Sequence, residues 1–181
     1  KIRNFVEEQG IQKFFEVGKG GIEHVILPDN GLVRPGMIVV GGDSHSTTYG
    51  TVGCIGCGIG STDMVMARLT GKLWFRVPHT IKLIFQGRPR QFVMGKDLAL
   101  LALQKLTSEG ARYKAIEYSG ETISSLPLAD RFTLTNMAAE LGAKCAIMEP
   151  DAHTLTYVSE RANGLPYKII KSDSNAQYEQ I

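Results

Sequence analysis

Asp43 and His45 stand two residues apart in Gly41-Gly42-Asp43-Ser44-His45-Ser46. A carboxylate this close to an imidazole fixes its tautomer and raises its proton affinity, which suits an acid/base unit or a pair of metal ligands. In an extended segment successive side chains alternate, so Asp43 and His45 should share one face and Ser44 should look the other way. That expectation excludes Ser44 and His45 as a nucleophile and its base. The plainer alternative is a turn in which Asp43 and the neighbouring hydroxyls cap backbone N–H groups. Five further residues carry reactive groups. His24 lies at the edge of the apolar run Val25-Ile26-Leu27, where a structural histidine bonded to a carbonyl is the competing reading. Asn136 and Glu140 are four apart and share one face of an expected helix. Cys54-x-x-Cys57 reads as small thiols in glycine-rich packing, because a zinc site needs a second ligand pair.

The elements that must position these groups can be read from the same sequence. Met37-Ile38-Val39-Val40 is an expected buried strand delivering Asp43 into a cleft, where ligands of α/β folds collect. A glycine-rich loop over 53–63 follows, and a helix starting near Ser61 or Thr62 offers free N–H groups to an anion such as a substrate carboxylate. Its G-x-G-x-G spacing is not the dinucleotide fingerprint. An opening helix over 1–9 stops at Gly10, Pro28-Asp29-Asn30-Gly31 is a turn, and a helix through Met64 and Leu69 closes at Gly71. Pro78 marks a boundary. Beyond it the pattern predicts strand 81–85, helix 97–106, strand 113–118, helix 130–141 with Asp130 as its N-cap, and strand 144–148. The expected organisation is a first α/β unit over 1–77, a second over 78–158, and a linker over 159–181 leading to a missing domain. The helical spacing already present at Ile2, Phe5 and Val6 predicts that the sequence is a piece of a longer protein.

The chain has 181 residues, 43% of them apolar, and 20 basic residues against 18 acidic, a net charge of +2. This suits a core-forming α/β protein and offers no basic cluster or motif for nucleic acid. No apolar run reaches the ~20 residues of a membrane span, and the first residues do not resemble a signal peptide. Three cysteines without secretory marks predict reduced thiols and a cytoplasmic location.

In order and spacing, Gly21-Ile22-Glu23-His24, Gly41-Gly42-Asp43-Ser44-His45-Ser46, the glycine-rich loop and Thr135-Asn136-Met137-Ala138-Ala139-Glu140-Leu141-Gly142-Ala143 resemble the aconitase superfamily. Ser46-Thr47-Thr48-Tyr49-Gly50, Thr70-Gly71-Lys72-Leu73-Trp74-Phe75-Arg76-Val77-Pro78 and Tyr113-Lys114-Ala115-Ile116-Glu117-Tyr118 look most like large subunits of the 3-isopropylmalate dehydratase and homoaconitase group. The resemblance implies a three-layer α/β/α fold with two α/β units present and the third domain missing. It implies a hydro-lyase isomerising 2- or 3-hydroxy di- or tricarboxylates by dehydration and rehydration, with a [4Fe–4S] cluster in the full-length protein. By similarity His24, Asp43, His45 and Glu140 are catalytic and Ser44 and Asn136 bind substrate. The cluster cysteines are expected beyond Ile181, so no metal ligand is expected in this chain, which would be inactive alone. The implied partner is a small subunit carrying a swivelling domain and the serine base. Two other readings compete: a non-catalytic structural fragment of such a protein, and a dinuclear metallophosphoesterase, whose first metal motif is also D-x-H.

Overall fold

Short β-branched and apolar runs punctuated by glycine and proline give five strands among the described residues, and each is too short to hold a core without a partner. The computed structural model describes residues 1–179. Its strands are β1 Ile38–Gly41, β2 Ile55–Gly58, β3 Thr80–Ile84, β4 Ala115–Ser119 and β5 Cys145–Met148. β1 and β2 pair in parallel, Ile38 opposite Ile55 and Gly41 opposite Gly58. β3, β4 and β5 form a second parallel sheet in that order, with Thr80 opposite Ala115 and Ala115 opposite Cys145. Parallel pairing needs crossover connections. The β1–β2 crossover is the 3₁₀ helix Ser44–Val52, the β3–β4 crossover is α4 Gly95–Leu106, and the β4–β5 crossover is α5 Glu121–Ser125, α6 Leu128–Asn136 and the 3₁₀ helix Met137–Leu141; α1 Ile2–Glu8 and α2 Glu23–Asp29 precede β1, α3 Ser61–Thr70 joins the two sheets, and α7 Ala152–Arg161 follows β5. The parallel α/β class expected from the pattern is the observed one.

The larger core lies under the second sheet, where Ile81, Ile116 and Met148 meet Leu98 of α4 and Leu134 of α6. A smaller core joins Val33, Tyr49, Val52 and Cys54 to Val158 and Ala162 at the end of α7. Between the two sits the 3₁₀ helix Ser44–Val52, buried from Ser46 to Val52 although four of those seven residues are serine or threonine. Buried hydroxyls must find partners, and these do. Ser46 Oγ donates to Asp43 O at 2.8 Å, Thr48 Oγ1 to His45 O at 2.6 Å, and Thr51 and Thr135 share a hydrogen bond at 2.7 Å.

Two glycines set how closely this helix approaches its neighbours. A Cβ on Gly50 would fall on the carbonyl oxygen of Ala146 in β5, and one on Gly56 in β2 would fall on the carbonyl oxygen of Ser46. Backbone cannot swing aside as a side chain can. Gly50→Ala should therefore cost about 3 kcal/mol, the upper end of ordinary overpacking. Chemical denaturation measures this, and a loss below about 0.5 kcal/mol would show that the contact yields.

Arg131 of α6 is buried to 2% exposure, unusual for a guanidinium. It pairs with Asp151 Oδ2 at 2.7 Å and donates to Leu126 O at 3.1 Å, Ser124 O at 2.9 Å and Thr154 Oγ1 at 3.4 Å. Asp151 also caps α7 by accepting from Thr154 N at 3.0 Å. One cation thus ties the entry of α6 to the entry of α7.

Several expectations need correction. β1 is not a buried strand: it belongs to a two-stranded sheet, and Ile38 is exposed. The glycine-rich loop contains β2, because its small residues let a strand pass close under the 3₁₀ helix. Pro28 and Asp29 close α2 instead of forming a turn, and the reversal falls at Gly31 with φ +62°. Asp130 does not cap α6; its carboxylate accepts from Gly95 N at 2.9 Å and so caps α4. The expected helix over 130–141 is α6 followed by a tighter 3₁₀ turn. Residues 159–161 still belong to α7, and the segment beyond runs back across both sheets. Lys168 N donates to Pro35 O at 3.3 Å, Tyr178 Oη to Glu117 at 2.8 Å, and Glu179 N to Thr80 O at 3.0 Å. Among the described residues no helix is long and apolar enough to cross a membrane.

Candidate active site

Asp43 is the last extended residue after β1, with φ −119° and ψ 140°, and it is the N-cap of the 3₁₀ helix. Its Oδ1 accepts from His45 N at 2.7 Å, satisfying a donor that a helix start leaves free. The same oxygen meets His24 Nε2 at 3.0 Å. The capping reading and the catalytic reading therefore describe one carboxylate. The His45 amide first, and then His24, hold the Asp43 carboxyl below its ordinary value despite partial desolvation.

His24 is the second residue of α2, and its ring is nearly enclosed, 5.9 Å from the Tyr49 ring and 6.3 Å from that of His45 between centroids. With Nε2–H given to Asp43, Nδ1 is left as an acceptor; it is buried and has no partner among the described residues.

His45 faces two ways. Its Nε2 lies 3.2 Å from Glu140 Oε1, a contact across ninety-five residues of sequence. Its Nδ1 lies 3.3 Å from Asp43 Oδ1 and 3.3 Å from Ser44 Oγ. Strand alternation predicted that Ser44 would turn away. The chain instead winds into the 3₁₀ helix immediately after Asp43, which brings the Ser44 hydroxyl beside the ring of the next residue.

Glu140 is delivered by the 3₁₀ turn Met137–Leu141, which stops at Gly142 with φ +77°. Asn136 ends α6, and its Nδ2 donates to Thr48 Oγ1 at 2.8 Å while its carbonyl accepts from Thr47 Oγ1 at 3.3 Å. The six residues selected from the sequence, His24, Asp43, Ser44, His45, Asn136 and Glu140, are thus brought to one place by elements from both halves of the chain. Two cavities flank them. One of about 420 Å³ is lined by His24, Thr48 and Asn136 with Val25, Phe132 and Tyr157. The other, about 340 Å³, is lined by Ser44, Gly58, Gly60, Asp63 and Lys144. The second lies at the start of α3, and Lys144 Nζ donates there to Gly58 O at 2.7 Å.

The sequence profile of the aconitase family (aconitate hydratase) matches residues 1–180. The chain belongs to the aconitase family. Similar relatives are 3-isopropylmalate dehydratase large subunits: one from Aquifex aeolicus is 48% identical over 180 residues, and another, large subunit 1 of Pyrococcus furiosus, is 49% identical over 179. A third, from Syntrophus aciditrophicus, is 47% identical over 180. Each alignment takes in 99% of this chain but only 41–43% of the relative. The chain thus spans well under half the length of the curated relatives it matches.

An iron–sulfur cluster of the kind associated with the aconitase family needs three converging thiolates. The cysteines here do not provide them. Cys54 is enclosed in the core with Val33 and Tyr49, whereas Cys57 and Cys145 pack against Ala115 in a separate cluster. The residues present do not fit a cluster. Glu23, His24 and Asp43 do place ligand atoms within 4.8 Å of one another, but Asp43 Oδ1 and His24 Nε2 already bond each other, and Glu23 lies 3.9 Å from that ring nitrogen.

Sequence reasoning missed the residues that hold the site rather than form it. Thr47, Thr48, Thr51 and Thr135 latch the 3₁₀ helix to α6, and Lys144 lines the second cavity. The signal was the run Ser46-Thr47-Thr48 with Thr51 close behind, more hydroxyls than a turn requires.

Proposed function

We propose that this chain is part of the large subunit of a [4Fe–4S]-dependent hydro-lyase acting on 3-isopropylmalate-type or homoaconitate-type hydroxy acids, and that His24, Asp43, His45 and Glu140 form its proton-handling group. The observation that carries this reading is the contact between His45 Nε2 and Glu140 Oε1, joined through Asp43 to His24. Loss of a hydroxyl from a malate-like carbon requires a proton on the departing oxygen and a base for the neighbouring carbon-bound proton. With one ring proton, His45 donates from Nε2 to Glu140 and accepts at Nδ1 from Ser44; with two, Nδ1–H turns to Asp43. Only the doubly protonated ring can give its Nε2 proton to a substrate hydroxyl, returning to neutral imidazole, and Asp43 keeps the ring oriented. His24 braces the shared carboxylate oxygen. Ser44, the free N–H groups at the start of α3 and Lys144 suit a substrate carboxylate in the 340 Å³ cavity. The base that takes the carbon-bound proton belongs to the small swivelling subunit, and the cluster ligands belong to parts of the protein outside these residues. Membership in this family favours the hydro-lyase reading of Asp43-x-His45 over a phosphoesterase.

The test uses the whole protein, reconstituted with iron, sulfide and its small subunit and assayed for hydration of isopropylmaleate and homoaconitate. Turnover of at least one is expected, and none from the 181-residue chain alone. A reconstituted protein inactive on both acids would sink the assignment.

A further inference from the structure

Cys57 is the third residue of β2 and lies opposite Val40; Cys145 opens β5 and lies opposite Ala115. The two strands belong to different sheets, yet these cysteines pack against each other and Ala115 in one buried cluster. Both line an apolar cavity of about 330 Å³, together with Phe75, Val77, Ile147 and Lys144. The Lys144 ammonium is fixed there by the Gly58 carbonyl at 2.7 Å and stands 5.7 Å from the Phe75 ring centre.

We propose that Cys57 and Cys145 are a redox site at which hydrogen peroxide forms a reversible disulfide between the two sheets. The two thiols are not equivalent. The adjacent Cys145 thiol and the nearby Lys144 charge hold the Cys57 thiol below its ordinary value against the cost of burial. Cys145, beside Cys57 and buried, is pushed up. Cys57 is therefore the attacking sulfur and Cys145 the resolving one. The Cys57 thiolate attacks one peroxide oxygen, the O–O bond breaks, and sulfenic acid and hydroxide form; the hydroxide takes the thiol proton and becomes water. Cys145 sulfur then attacks the sulfenic sulfur, and the expelled hydroxide leaves with the Cys145 proton as a second water. Two thiols and one peroxide become one disulfide and two waters, the sulfurs giving up the two electrons that reduce the peroxide.

The cavity selects the oxidant by polarity: its apolar lining admits a small uncharged molecule such as hydrogen peroxide and does not suit a bulky charged disulfide. Cys54 is excluded despite the C-x-x-C spacing. Residues three apart along extended chain are about 10 Å apart and on opposite faces, Cys54 lies in the other core, and burial pushes its thiol up to about 12.

The purified 181-residue chain is exposed to graded hydrogen peroxide, then denatured, alkylated with N-ethylmaleimide and weighed intact. The reduced chain should take three maleimides. The oxidised chain should take one, weigh two hydrogens less before alkylation, yield a peptide joining Cys57 to Cys145, and return to three after dithiothreitol. Cys54→Ala should leave that cross-link unchanged, and Cys145→Ala should carry Cys57 on to sulfinic acid. A cross-link between Cys54 and Cys57, oxidation of the unmodified chain that stops at sulfinic acid, or three free thiols after peroxide that oxidises a free cysteine would each overturn the proposal.

Discussion

Arg131→Leu should destabilise the chain by about 3 kcal/mol, because removing one member of a buried pair leaves its partners without compensation. The Leu126 and Ser124 carbonyls lose their donors, and each stranded carbonyl costs about 1–3 kcal/mol. Asp151 adds less, since its side chain keeps 36% exposure and water can reach it. The same pair gives stability a pH dependence. Burial pushes the Asp151 carboxyl up, but the Thr154 N–H and the Arg131 guanidinium together hold it below its ordinary value. A carboxyl depressed in the folded state contributes stability above its unfolded value, about 3.9, and that contribution disappears as pH falls through the folded value. Urea titrations at pH 7 and near pH 3 should show the difference between parent and variant narrowing in acid. A loss at pH 7 under about 1 kcal/mol would mean that the guanidinium is not the tie between α6 and α7.

In the reconstituted whole protein, Glu140→Gln should lower kcat by about 10²–10⁴-fold, the range associated with one positioned proton donor or acceptor. Glutamine can still accept from His45 Nε2, so the geometry survives and the proton function does not. KM should stay within a few-fold, because the substrate carboxylate is assigned to Ser44 and the start of α3. Glu140 is 55% exposed at its side chain, so folding stability should change by less than about 0.5 kcal/mol. His45→Gln should lower kcat to the same extent, and the double variant should fall little further, since groups acting as one unit are not additive. A Glu140→Gln enzyme with kcat within tenfold of the parent would remove that carboxylate from the proposed chemistry.

The sequence made parts of this arrangement visible for reasons the coordinates then revise. Asp43 and His45 do meet, but through an N-cap and a 3₁₀ turn, not through strand alternation; the period-2 rule failed because the strand ends two residues before Asp43. Ser44 was misplaced for the same reason. Asn136 and Glu140 reach the site as expected, although the α-helix stops between them, because Gly142 and the close approach to the 3₁₀ helix tighten the last turn. Asp130 carries every local mark of an N-cap, and its partner is thirty-five residues away in α4. β2 was hidden because Gly56 and Gly58 are poor strand formers; they are needed there by the backbone packed above them, which local propensity does not register. The threonine latch depends on pairs such as Thr51 and Thr135, and no single-window reading joins positions so far apart.

Gly50 lies backbone against backbone on β5, and Gly56 does the same beneath Ser46. A seat made of side chains has slack, since rotamers hop within nanoseconds and let neighbours drift by fractions of an ångström. A peptide plane resting on another peptide plane has no such hinge. The backbone that carries His45 is therefore seated by covalent dimensions rather than by rotamers: warming frees the half-exposed Glu140 side chain first, and the peptide planes beneath His45 shift only when the two sheets part.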